Sequence, residues 1–187
     1  MVRLTLQYVP FSPEVAFLLI KQTEVQTVKW YLPIFYVHVY SAIFVLLAGF
    51  TQFSAAILKT YKSLHRNSGK LYAIVVLFFA APSGIFMGCY ANGAWHSKVS
   101  FVVLGIIWWL FTGKAMQAIW QRQFIVHEKM MVRSFALALS AITLRAWKVM
   151  IVYSFDTAPM DTYQIIAWLG WIPNLLIAEY YLHRKLK

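Results

Sequence analysis

Apolar residues in this chain run on without alternation for twenty positions and more, and the polar residues collect between the runs. Five stretches have this character: residues 33–58, 71–90, 99–120, 132–153 and 163–182. A helix needs about 20 mainly apolar residues, each rising 1.5 Å, to cross the hydrocarbon layer of a bilayer. A barrel strand would alternate, and a single helix satisfies its own backbone groups in lipid. The pattern therefore predicts an all-α integral membrane bundle of about five transmembrane helices, the first four forming an antiparallel four-helix core. The segments between the runs are about eight to twelve residues long, so successive helices are expected to be antiparallel neighbours.

Residues 1–32 read differently. Residues 13–19 are apolar but too short to span, and Lys21, Glu24 and Lys29 follow. Ser12 as a cap and Pro13 at a helix start predict a short interfacial helix on the membrane surface. The chain thus divides into a segment over 1–32, the bundle over 33–182, and a basic tail over 183–187.

Charge orients the bundle. Lys59, Lys62, Arg66 and Lys70 lie between runs one and two, and Arg122, Lys129 and Arg133 between runs three and four. Arg184, Lys185 and Lys187 follow run five, so one side holds ten of the seventeen Lys and Arg residues. The opposite loops hold Lys98, Asp156 and Asp161. The positive-inside rule assigns the first group to the cytoplasm, which places the N-terminus outside and the C-terminus inside. Trp30, Tyr31, Tyr36, Tyr90, Trp95, Trp120, Tyr153 and Tyr163 fall near run ends, as interfacial aromatics do.

Composition closes off other classes. Of 187 residues, 61% are hydrophobic and 12% charged, against about 25% charged in soluble domains. The net charge of +11 could suggest nucleic acid, but the cations sit in short loops between apolar runs, facing lipid headgroups instead. The partner implied is the lipid bilayer, not nucleic acid. A single cysteine, Cys89, permits neither an internal disulfide nor a Cys-rich metal site. No Walker loop, nucleophile elbow or His-Glu-x-x-His helix occurs. Six acids in all leave no carboxylate cluster for magnesium or two irons.

The chemistry that remains rests on histidine. His38, His65, His96 and His127 are spaced 27, 31 and 31 residues apart, which puts one near an end of each of helices one to four. Topology sorts them into an outer pair, His38 with His96, and an inner pair, His65 with His127. Facing imidazoles of this kind fit a bundle holding b-type haem, one histidine on each side of the porphyrin. Arg66, Lys129 and Arg133 stand close enough in sequence to neutralise propionates. The plainer reading is that histidine is common at membrane interfaces; His183, in the basic tail, is read that way.

Arg145 in the fourth run is the most specific single residue. It lies twelve positions beyond Arg133, about 18 Å along a helix. Such a charge costs at least ~2.5 kcal/mol unless paired or hydrated. Its candidate partners are Gln52, Ser140, Thr143, carbonyls, a propionate, or a quinone-like or anionic ligand. Gln52 in helix one reads as a helix–helix hydrogen bond or as part of such a site. Lys114 and Lys148 can snorkel. Pro82-Ser83-Gly84 predicts a kink or close packing in helix two.

Two stretches carry a resemblance. His65-Arg66-Asn67-Ser68-Gly69-Lys70-Leu71-Tyr72 follows a helix with Gly49-Phe50-Thr51-Gln52-Phe53. His127-Glu128-Lys129-Met130-Met131-Val132-Arg133-Ser134-Phe135-Ala136-Leu137 leads on to Thr143-Leu144-Arg145. Over about residues 30–150 they resemble a bacterial family of predicted membrane proteins of unassigned function. The resemblance implies a bacterial inner-membrane location. His96 lies outside its motifs. The layout of four histidines is also similar to the di-haem transmembrane cytochrome b family that uses ascorbate, where alternate helices pair their ligands.

Three function classes stay open at this point. One is a haem-binding membrane redox protein with His65 and His127, then His38 and His96, as iron ligands and Arg66, Arg133, Arg145 and Gln52 beside the cofactor. The second is an accessory subunit bound to other membrane-protein subunits of a larger respiratory or energy-transducing complex. The third is a transporter or metal-handling protein.

Overall fold

A computed structural model describes residues 6–9, 11–156 and 162–185. Asp161 and Lys187, used above for orientation, lie outside these, as do residues 1–5 and 10 of the N-terminal segment. Five helices are long and apolar enough to cross a membrane: α1 (Tyr31–Gln52), α2 (Lys62–Cys89), α3 (Ala94–Trp120), α4 (Phe124–Phe155) and α5 (Tyr163–Lys185). Among the described residues there is no strand. Successive helices α1 to α4 pack side by side, and α5 lies against α3 and α4. The protein is an all-α membrane bundle, as its apolar runs predict.

The helices differ from the runs at their ends. α2, α3 and α4 each begin well before their apolar residues do, so residues 90–93 and 121–123 alone join α2 to α3 and α3 to α4. The expected loops of about eight to twelve residues are too long there. Helical hydrogen bonding continues through polar turns at the headgroups, whereas hydropathy registers only the lipid-facing part. The first run, in contrast, is not one helix: α1 stops at Gln52, and Ser54 caps a separate short helix, Ala55–Thr60, by accepting from the Ile57 N–H at 3.4 Å. The tight α2–α3 connection depends on Gly93, whose φ of +87° suits glycine and whose missing Cβ leaves room for Ser97 Oγ.

Three of the five helices are broken. In α2, residues Val76–Ala80 form a π turn just before Pro82, the Ala81 N–H reaching back to the Val76 carbonyl. Proline supplies no N–H, so nearby carbonyls find other donors. Trp109 Nε1 donates to Leu77 O at 3.1 Å, and Ser83 Oγ to Phe79 O at 2.5 Å. The expected kink at Pro82–Gly84 is thus spread over the preceding turn. α4 breaks at Leu139 and α5 at Gly170–Trp171, ahead of Pro173. The two breaks face each other. Asn174 Nδ2 of α5 donates to Ala136 O of α4 at 3.1 Å, and Thr143 Oγ1 of α4 donates to Gly170 O of α5 at 2.5 Å.

The core contains a closed circuit of hydrogen bonds. Trp108 Nε1 donates to Tyr72 Oη at 3.3 Å, and Tyr72 Oη is 2.7 Å from Ser134 Oγ. Ser134 Oγ is 2.7 Å from Thr112 Oγ1, which donates to the Trp108 carbonyl at 2.9 Å. Because the Thr112 proton is spent on that carbonyl, Ser134 donates to Thr112 and Tyr72 to Ser134. The circuit leaves Trp108 by its indole and returns to its backbone, with every hydroxyl donating and accepting once. All four residues are buried, so complete pairing is what makes them tolerable there. Nearby, Gly49 admits the Phe135 ring, which a Cβ would meet at 2.3 Å.

The N-terminal segment covers the bundle at the face opposite Lys59–Lys70. Its regular part is a 3-10 turn, Ala16–Lys21, and a short helix, Gln22–Thr27, starting later than Ser12 and Pro13 suggest. Ser12 Oγ does accept from the Glu14 N–H at 3.2 Å, but the turn goes no further. Lys21, 2% exposed, donates at 2.5 Å both to Glu24 Oε1 and to the Tyr90 carbonyl that ends α2.

Candidate functional site

His65 and His127 occupy the first turns of α2 and α4, at the basic face. Each stands seven residues, two helical turns, before a member of the core circuit, Tyr72 and Ser134 respectively. Seven residues is close to a whole number of turns, so each histidine shares a face with its circuit residue. The pair therefore forms a second polar layer about 10 Å nearer the basic face.

Their nitrogens are not equivalent. His127 Nδ1 is 2.8 Å from the Ala115 carbonyl. A carbonyl only accepts, so Nδ1 carries the proton and the Nε2 lone pair is left available. This is the arrangement by which metal-binding histidines are usually oriented. His65 Nδ1 is buried and has no hydrogen-bond partner among the described residues. Gln52 Nε2 donates to the His65 carbonyl at 3.2 Å and to Ser68 Oγ at 2.6 Å, so it fastens α1 to the start of α2 rather than touching the imidazole. Arg66, next in the chain, is exposed.

The other expected site residues are dispersed. Arg133 is held by Glu179 of α5 through two bonds, Nε at 2.5 Å and Nη2 at 2.8 Å. His38 lies at the far face, its Nδ1 3.2 Å from both Ala80 O and Ser83 Oγ beside the π turn. His96 is exposed, its ring 3.9 Å from that of Trp95. The contacts of His38 run to α2 and those of His96 to its own neighbour, so the expected outer pair shares no contact among the described residues. Arg145 bonds the Ala141 carbonyl of its own helix, one turn back from its own position. Among the described residues no three or more His, Cys, Asp or Glu side chains gather where a metal ion could sit.

Two features of the site are not legible from spacing alone. The core circuit joins Tyr72, Trp108, Thr112 and Ser134, residue types that read as ordinary helix content. Glu179 could have been found: an acid inside the fifth apolar run calls for a cationic partner.

An all-α bundle of five membrane-crossing helices, with polar layers strung between α2, α3 and α4, defines a multi-pass membrane protein. The chain belongs to the family described as Predicted membrane protein (DUF2306), whose profile matches residues 35–182. Both histidine motifs lie inside that match. No curated protein and no solved structure matches the chain.

Proposed function

We propose that this membrane protein is a b-type haem protein for one-electron transfer, in which His65 and His127 would hold the iron. The observation that carries the reading is the matching placement of the two histidines in the first turns of α2 and α4, with His127 Nδ1 committed to Ala115 O and its Nε2 left free. The donor set favours haem over a bare ion. Two imidazoles leave a free ion short of ligands, and no third side-chain donor gathers with them among the described residues. A porphyrin brings four nitrogens and needs only two from the protein.

When bound, a haem would supply reversible one-electron chemistry. The chain's own part is to fix His127 through Ala115, to fix the start of α2 through Gln52, and to offer Arg66 and Lys129 to propionates. With the basic face turned to the cytoplasm, as the positive-inside rule favours, the haem would lie on the inner side of a bacterial inner membrane.

Protein purified from haem-replete cells should show a Soret band and, when reduced, the sharp alpha band of low-spin bis-histidine iron. His65→Ala and His127→Ala should each lose the low-spin signature, and His96→Ala should keep it. A colourless, iron-free preparation rules the reading out.

A further inference from the structure

A groove of about 670 Å³ lies between α1 and α2, within the range of about 300–1,000 Å³ usual for ligand pockets. Pro33, Val37, Tyr40, Ser41 and Phe44 form its α1 wall. They recur every three or four residues and so follow one face of the helix. Val75 and Phe79 form the α2 wall, just before and within the π turn. Phe11, Ser12 and Pro13 of the N-terminal segment roof it. Val37, Phe44 and Phe79 are exposed, so the groove opens to lipid. It runs down the helices rather than across them. Pro33 to Phe44 is eleven residues, about 16 Å, close to one leaflet of a hydrocarbon layer about 30 Å thick. The two walls agree on where it ends. Phe44 is thirteen residues from the far-face end of α1 and Val75 fourteen from that of α2, about 20 Å in each case.

The α1 wall has little to offer a polar occupant. Tyr36 Oη, under the roof, accepts from the Ser12 N–H and donates to the Ser12 carbonyl, both at 2.9 Å. Tyr40 Oη donates to Tyr8 O at 2.9 Å, and Ser41 Oγ to His38 O at 3.0 Å. Each of these hydroxyl protons is spent inside the protein. A quinone ring would bury its carbonyls there without donors, which is costly. A hydrocarbon chain asks for none. The same tyrosine bonds fasten the roof to α1, and His38 ties α1 to the π turn through Ala80 O and Ser83 Oγ.

The mouth carries charge of both signs. Glu14 donates its N–H to Ser12 Oγ of the roof at 3.2 Å. Lys29, its Nζ 5.6 Å from the Trp30 ring centre, stands three residues before Leu32, which also lines the groove. A headgroup with an ammonium and a phosphate complements both charges, whereas an anionic one complements only the lysine.

We propose that the groove holds one acyl chain of a zwitterionic phospholipid, phosphatidylethanolamine, as a fixed lipid with its headgroup at the N-terminal roof. The site is separate from the histidine pair and does not rest on the haem reading.

Native mass spectrometry of the full-length protein released from nanodiscs of phosphatidylethanolamine and phosphatidylglycerol reads the bound lipid directly. Wild-type protein should retain one phosphatidylethanolamine; equal or greater retention of phosphatidylglycerol overturns the zwitterionic headgroup. Val37→Trp fills the groove from an exposed wall position. It should lower the retained fraction about tenfold, the effect of shutting out about two methylenes, while Phe78→Trp, exposed on α2 outside the groove, should not. If Val37→Trp does not fold, wild-type protein still decides. Phosphatidylethanolamine with a diazirine at mid-chain should label residues 37–44, Val75 and Phe79 above exposed residues of other helices such as Ile106 and Val149. Even labelling of all of these, or equal retention by wild type and folded Val37→Trp, overturns the site. A long-chain prenyl quinone that displaces the lipid from wild-type protein would assign the groove to that chain and overturn the phospholipid.

Discussion

The hydroxyls of Tyr72 and Ser134 meet at 2.7 Å, one from each of the two motifs that begin with His65 and His127. That bond links α2 to α4 across the core and is one step of the circuit through Thr112 and Trp108. Ser134→Ala leaves the Tyr72 proton and one Thr112 acceptor site without partners. Leaving a buried group unsatisfied costs about 1–3 kcal/mol. Unfolding in a denaturing detergent series should show that loss for Ser134→Ala and for Tyr72→Phe. The double variant should lose clearly less than the sum, because both remove the same bond. Strict additivity would mean that the circuit is not one unit.

Arg133 and Glu179 make the second predicted coupling. Their side chains are 19% and 45% exposed, so screening limits the pair. A loss of about 1 kcal/mol is expected for Glu179→Gln, at the upper end for exposed pairs because the contact is bidentate. The same unfolding series should show the deficit shrinking as salt rises. Paired replacement with Arg133→Gln should recover part of it, and no recovery would show that the two side chains act separately.

At the far face, pH should loosen the N-terminal segment. Burial, the largest single influence, would raise the Glu24 carboxyl, but its bond and charge pairing with Lys21, its own backbone N–H and the charge of Lys98 together hold it below its ordinary value of 4.5. A carboxyl that is more acidic when folded stabilises the fold above its ordinary range, and that stability is lost as pH falls through the lowered value. Hydrogen exchange over residues 16–27, corrected for the intrinsic rate, should quicken between neutral pH and about pH 3. Glu24→Gln should abolish the dependence. An unchanged profile in that variant would separate the pH effect from the Lys21 latch.

How much of this was legible in the sequence depends on the kind of force involved. The five spans were, because lipid imposes long apolar runs that hydropathy reads directly. That His65 and His127 stand at the same end of the bundle followed from topology alone, because alternate helices start on the same side. Helix ends were not legible, since polar turns such as Lys62–Lys70 continue a helix that hydropathy has already left. The π turn before Pro82 was visible only as a kink, because a proline announces a fault without saying which turn absorbs it.

The facing breaks in α4 and α5 have a consequence for how the chain is built. In lipid, an unserved carbonyl costs several kcal/mol. Ala136 is served by Asn174, and Gly170 by Thr143. α4 leaves the ribosome first, when its partner is not yet made, so nothing then holds its bend. The bent form becomes the cheaper one only once Asn174 arrives. α5, synthesised after α4, thus supplies the donor that α4 needs at its break, and a chain cut before residue 170 would leave the Ala136 carbonyl without Asn174.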